Sequence, residues 1–118
     1  MDQKLPSILK LKSQKQISEL FNESSVVKAY PIILNLKKST EIETPFKVGF
    51  SVSKRNFKLA VHRNKIKRLL RESFRKNKYL FTKEDTKHLF MFVYVGKTIP
   101  TYTEINKCVL KIANKLNK

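Results

Sequence analysis

Glycine, cysteine, histidine and acidic residues are all scarce in this 118-residue chain, and each scarcity removes a class of function. Two glycines cannot make a glycine-rich phosphate loop. A single cysteine, Cys108, rules out an intramolecular disulfide and offers no metal-ligand spacing, so its expected place is a small residue inside the last helix. No apolar run approaches the ~18 residues of a membrane span, and the first dozen residues lack the apolar core of a signal peptide. A cytoplasmic protein is the expectation. Nine acidic residues face 26 lysines and arginines, for a formal charge of +17. A positive field of that size speeds encounter with phosphates. With 41% hydrophobic residues the chain still has the makings of one folded domain spanning residues 1–118, its basic residues 1–12 loosely held.

Catalytic groups are equally thin. His62 and His88 are the only histidines; a two-histidine ribonuclease mechanism can be written for them, but a packing role and a strand-end role account for both. Glu84 and Asp85 are adjacent and would point to opposite faces of an extended chain. Glu41 and Glu43 fall in an expected loop without further metal ligands. No catalytic residue and no metal site in the protein is assigned.

What is abundant is concentrated. Between Lys54 and Lys78 lie eleven of the 26 basic residues and one acid, Glu72. At about 100° per residue, Leu59, Ile66, Leu70 and Phe74 share one stripe. Asn64, Arg68, Arg71 and Arg75 share the opposite side, flanked by Lys65 and Lys67. Like charges three and four apart repel by a few tenths of a kcal/mol each. A solvated helix usually mixes signs to avoid that, so this face points to a polyanionic partner, nucleic acid first. An anionic membrane surface would need exposed apolar residues opposite the charges, whereas this apolar stripe is needed for a core.

In chain order, Ser13 and Gln16 form a capping-box pattern ahead of Ile17, Leu20 and Phe21, predicting a helix from about residue 14 to 22. Residues 26–36 read as one strand with Pro31 marking an edge or bulge. Residues 38–45 read as a hairpin loop leading to an alternating strand at 46–53, with Phe46, Val48, Phe50 and Val52 on one face. Lys47, Gly49, Ser51 and Ser53 occupy its other face, which is expected to stay open and to meet the basic helix at one surface. That helix is expected to end near Asn77, after an irregular first turn that would keep Val61 off the basic face. Leu89 to Val95 is a continuous apolar run, a central strand covered on both sides. A second capping box, Thr101 with Glu104, opens a helix bearing Ile105, Val109, Ile112 and Leu116. The order α-β-β-α-β-α is that of a single-domain α+β sandwich.

The segment Gly49 to Arg75, GFSVSKRNFKLAVHRNKIKRLLRESFR, closely resembles the signature of the protein subunit of bacterial ribonuclease P. The matching residues are Val52-Ser53-Lys54-Arg55, then Arg63-Asn64-Lys65-Ile66-Lys67-Arg68 and Arg71-Glu72. Two positions depart from the pattern. Lys65 stands where the signature has arginine, keeping the charge but losing the planar fork that holds phosphate bidentately. Ile17 stands where an aromatic is usual, and can offer apolar contact to RNA or packing in a short helix. The resemblance implies a fold like the second domain of ribosomal protein S5, with a left-handed β-α-β crossover. It implies a catalytic RNA subunit as partner, precursor tRNA as substrate, and Mg²⁺ held mainly by the RNA. It assigns Arg63, Asn64, Lys65, Lys67, Arg68, Arg71 and Arg75 to the catalytic RNA, and Phe21, Ser53, Lys54 and Arg55 to the 5′ leader of precursor tRNA. No small-molecule substrate and no membrane partner is implied. The rival readings are a structural RNA-binding protein of ribosomal type, a DNA-binding factor lacking any evident second helix or zipper, and an autonomous ribonuclease.

Overall fold

The computed structural model describes residues 11, 17, 18, 20, 25–38, 44, 46–82 and 87–117. Its elements are β1 (Ser25–Ala29), β2 (Ile32–Lys38), β3 (Phe46–Val52), α1 (Ala60–Asn77), β4 (His88–Tyr94) and α2 (Tyr102–Leu116). Residues 17, 18 and 20 are helical; the rest of the helix expected over 14–22 lies outside the described residues. The four strands form one sheet in the order β1-β2-β4-β3.

Two expectations about strand connectivity are corrected first. Residues 26–36 are not one strand: a turn at Tyr30 and Pro31 folds them into the β1–β2 hairpin, pairing Ala29 with Ile32. Proline has no N–H for a ladder and suits a turn, but the β-branched residues on both sides hide the break. The elements from β1 onward therefore run β-β-β-α-β-α. Nor do residues 38–45 close a hairpin, because β4 lies between β2 and β3. It pairs antiparallel with β2 and parallel with β3. The parallel pair is joined through α1, which makes the β-α-β unit that carries the basic segment.

Strand β4 is covered on both sides, as its unbroken apolar run requires. On one side Phe90, Phe92 and Tyr94 join β2, β3 and both helices in the main core. Phe74 of α1 is its hub. It meets Phe46 edge to face at 5.4 Å between centroids, Phe92 at 5.5 Å and Phe81 at 5.4 Å. On the other side Leu89 and Met91 pack with Leu11 and Leu20, and Ile17 packs against that cluster. Of the two roles open to Ile17, packing is the one observed. Leu11 lies inside the stretch expected to be loose, yet it is buried and its N–H donates to the Val48 carbonyl at 2.9 Å. The face of β3 bearing Gly49, expected to be open, thus carries chain over it: a Cβ on Gly49 would stand 3.5 Å from the Leu11 Cβ.

Candidate nucleic-acid interface

Helix α1 buries Ile66, Leu70, Ser73 and Phe74. Each large apolar side chain contributes roughly 1.5–3 kcal/mol by leaving water, and together they fix the rotation of the helix on the sheet. Polar bonds fix its partner: the Ser73 hydroxyl donates to Asn106 Oδ1 of α2 at 2.9 Å, and Asn77 Nδ2 donates to the same oxygen at 2.9 Å. Lys76 Nζ sits 5.2 Å from the centroid of the Tyr102 ring. With one face so committed, the opposite face is held outward.

That outward face gathers Asn64, Lys65, Lys67, Arg68 and Arg71 around a shallow depression, together with Val61 and His62. Asn64, Lys65 and Arg68 are exposed, while Lys67, Arg71 and Arg75 are half-buried. Arg75 lies one turn beyond Arg71, and its buried Nε has no hydrogen-bond partner within the protein. Two residues differ from the sequence reading. Leu59, placed on the buried stripe, is 59% exposed, because it precedes the helix as its N-cap with an extended backbone and is not wound into the stripe. Val61 does project among the basic side chains, 68% exposed, because the helix is regular from Ala60.

Arg63 is assigned to RNA by the resemblance, but its guanidinium also turns back on its own chain. Nη1 donates to the Phe57 carbonyl at 2.7 Å and to the Lys58 carbonyl at 2.9 Å, bracing the loop that enters the helix. The same loop is tied across the sheet end by Asn56, whose Nδ2 donates to the Gly96 carbonyl at 3.2 Å. Ser53, Arg55 and Asn56 line a second depression with Val95 and Lys97. Lys54 is exposed beside it. Phe21, the remaining leader candidate, lies outside the described residues.

Asn56 and Lys97 were not legible as site residues. Asn56 sits in a spacer with no periodicity, and its bond spans 40 residues of sequence. Lys97 follows Gly96 in a loop and reads as one more surface lysine. The two histidines stand apart in role. His88 is buried at the start of β4 with its ring stacked on Phe90, centroids 5.6 Å apart, whereas His62 lines the basic depression. Among the described residues no three of His, Cys, Asp and Glu come together as metal ligands would, and no helix is long and apolar enough to cross a membrane.

The chain and its fold have counterparts among known proteins. The family model described as Ribonuclease P matches residues 5–117. The ribonuclease P protein component of Macrococcus caseolyticus is 34% identical over 115 residues, covering 92% of this chain and 93% of its own. That of Pseudoalteromonas translucida is 33% identical over 110 residues, covering 93% of this chain and 75% of its own. Among solved structures, the ribonuclease P protein of Staphylococcus aureus superposes with a TM-score of 0.76 at 23% identity, covering 93% of this chain and 95% of that one. The Thermotoga maritima protein gives 0.73 at 18% identity, covering 90% and 96%. The chain belongs to the ribonuclease P protein family, the protein components of an endoribonuclease that processes tRNA.

Proposed function

We propose that this protein binds the catalytic RNA of ribonuclease P through the outer face of α1 and assists Mg²⁺-dependent removal of the 5′ leader from precursor tRNA. The observation that carries the reading is the depression formed by Asn64, Lys65, Lys67, Arg68 and Arg71, backed by a helix face that is wholly committed to the core. Lysines and arginines there neutralise phosphates, and Asn64 both donates and accepts at a fixed position. Ser53, Lys54 and Arg55 receive the leader at the end of the sheet. Phe21 offers an aromatic ring for stacking a leader base.

In this reading the protein contributes charge and position, and the RNA contributes the chemistry. Two RNAs held together repel, and cations fixed on a rigid helix lower that repulsion without requiring diffusible Mg²⁺. The described residues fit no protein-held magnesium site, since their carboxylates do not cluster. In this reading Mg²⁺ is held mainly by the RNA.

The test is cleavage of a precursor tRNA at low Mg²⁺ with protein alone, the cognate ribonuclease P RNA alone, and both together. Mature 5′ ends only in the combined reaction support the reading. Inactivity of the combination, with an RNA that cleaves alone at high Mg²⁺, would reassign the protein as a structural RNA-binding component.

A further inference from the structure

Strand register puts Ile32, Tyr94 and Val52 in line across the sheet. The Tyr30–Pro31 turn, the loop after β3 and the loop after β4 consequently share one end of it. The Val95 N–H donates to the Pro31 carbonyl at 2.8 Å, and Cys108 Sγ of α2 lies 3.6 Å from the Tyr30 carbonyl. These contacts enclose a pocket between the turn and the first half of α2. Its floor is Tyr94, whose hydroxyl donates to the Thr98 carbonyl at 2.7 Å. Burial pushes both the Tyr94 hydroxyl and the Cys108 thiol above their ordinary pKa values, so both are neutral near pH 7.

The rim is of a different kind. Tyr30 presents its ring to solvent, 75% exposed. Lys97, Lys107 and Lys111 surround the opening, the last two being one helical turn apart. The acid on the rim, Glu104, is engaged: its Oε1 accepts from the Thr101 N–H at 3.0 Å and from the Thr101 hydroxyl at 3.1 Å. A flat exposed ring, an uncharged floor and three lysines match one unpaired nucleotide, with its base on the ring and its phosphates on the amines. Lys97 also lines the depression of Ser53, Arg55 and Asn56, so the two cavities share a wall.

We propose that this pocket is a second single-strand subsite, holding an upstream nucleotide of a long 5′ leader by stacking on Tyr30 and by phosphate contact with Lys97, Lys107 and Lys111. It rests on the reading that Ser53, Lys54 and Arg55 receive the leader, because the strand reaches the pocket past Lys97.

The test uses the full-length protein assembled with its ribonuclease P RNA and precursor tRNAs whose leaders lengthen stepwise, each carrying 4-thiouridine at its 5′ end. Wild type should gain affinity when the leader becomes long enough, and at that length the cross-link should map to Tyr30 or a neighbour in the pocket. Tyr30→Leu should remove the gain, about fivefold or more, while Tyr30→Phe retains it. Lys107→Gln with Lys111→Gln, both exposed and expected to fold normally, should lower the salt slope for the long leader by about 1.4 and leave the short leader unaffected. Wild-type binding by all these variants, with no cross-link to the pocket, overturns the subsite even if cleavage is normal. Failure of the wild type to support cleavage overturns the proposed function instead. A cross-link of a free single-stranded RNA to the pocket would still decide the subsite in that case.

Discussion

Arg63 donates through Nη1 to the carbonyl of Phe57 at 2.7 Å, so a residue of the basic helix also closes the loop in front of it. Loss of a charged hydrogen bond that leaves a carbonyl unpaired costs about 1.5–3 kcal/mol. Arg63→Ala should therefore lower the denaturation midpoint, whereas Arg68→Ala, on an exposed position, should leave it within ~0.5 kcal/mol. Urea unfolding of the two variants side by side measures the difference. Equal midpoints would confine Arg63 to binding.

On the outer face the expectation concerns salt. If Arg68 and Arg71 each meet one phosphate, replacing either by Gln should reduce the slope of log K against log salt by about 0.7–0.9. Filter binding to ribonuclease P RNA from 50 to 200 mM salt reads this directly. An unchanged slope in both variants would remove them from the RNA interface.

Phe74 stands at the centre of the aromatic core, fully buried. Phe74→Ala should cost about 3–5 kcal/mol, and Phe74→Leu less, since it leaves a smaller cavity. Chemical denaturation is the measurement. Because the same residue orients α1, binding of the RNA should fall with stability in this series and not independently of it.

A fourth expectation is acid lability at the start of α2. The Thr101 backbone N–H, and then its hydroxyl, hold the Glu104 carboxyl below the ordinary carboxylate pKa. A depressed folded-state pKa adds stability that is present above the unfolded value and is lost as pH falls through the folded one. Glu104→Gln should flatten the acid limb of stability against pH and leave stability below the folded pKa nearly unchanged. Thr101→Ala should cost about 0.5–2 kcal/mol at neutral pH, by removing the cap. Melting temperatures from pH 7 down to pH 3 test both.

Much of the basic face was legible because two periodicities coincide in α1. The spacing of Ile66, Leu70 and Phe74 names the buried side, and the spacing of Asn64, Arg68 and Arg71 names the exposed one. The Thr101–Glu104 cap was legible for a similar reason, being local and chemically specific. What escaped depends on relationships across distance. Nothing near Pro31 distinguishes a kinked strand from a tight hairpin. Nothing in β2 or β3 says that a strand beginning at His88 will separate them. Leu59 has the right spacing for the stripe, but the spacing does not say where winding begins. The bonds of Asn56 and Arg63 to backbone carbonyls need only a polar side chain near a loop, a condition met by dozens of residues in this chain.

The central place of β4 also orders events during synthesis. Strands β2 and β3 share no hydrogen bonds, and each completes its ladder only against residues 88–94. Until that segment has left the ribosome, the hairpin and β3 have no common sheet, and α1 lacks Phe90 and Phe92 beneath its apolar stripe. The basic segment is thus made before the scaffold that aims it. A nascent chain in that interval is a flexible polycation beside a large RNA, and long-range strand pairing is the slow step that ends the interval.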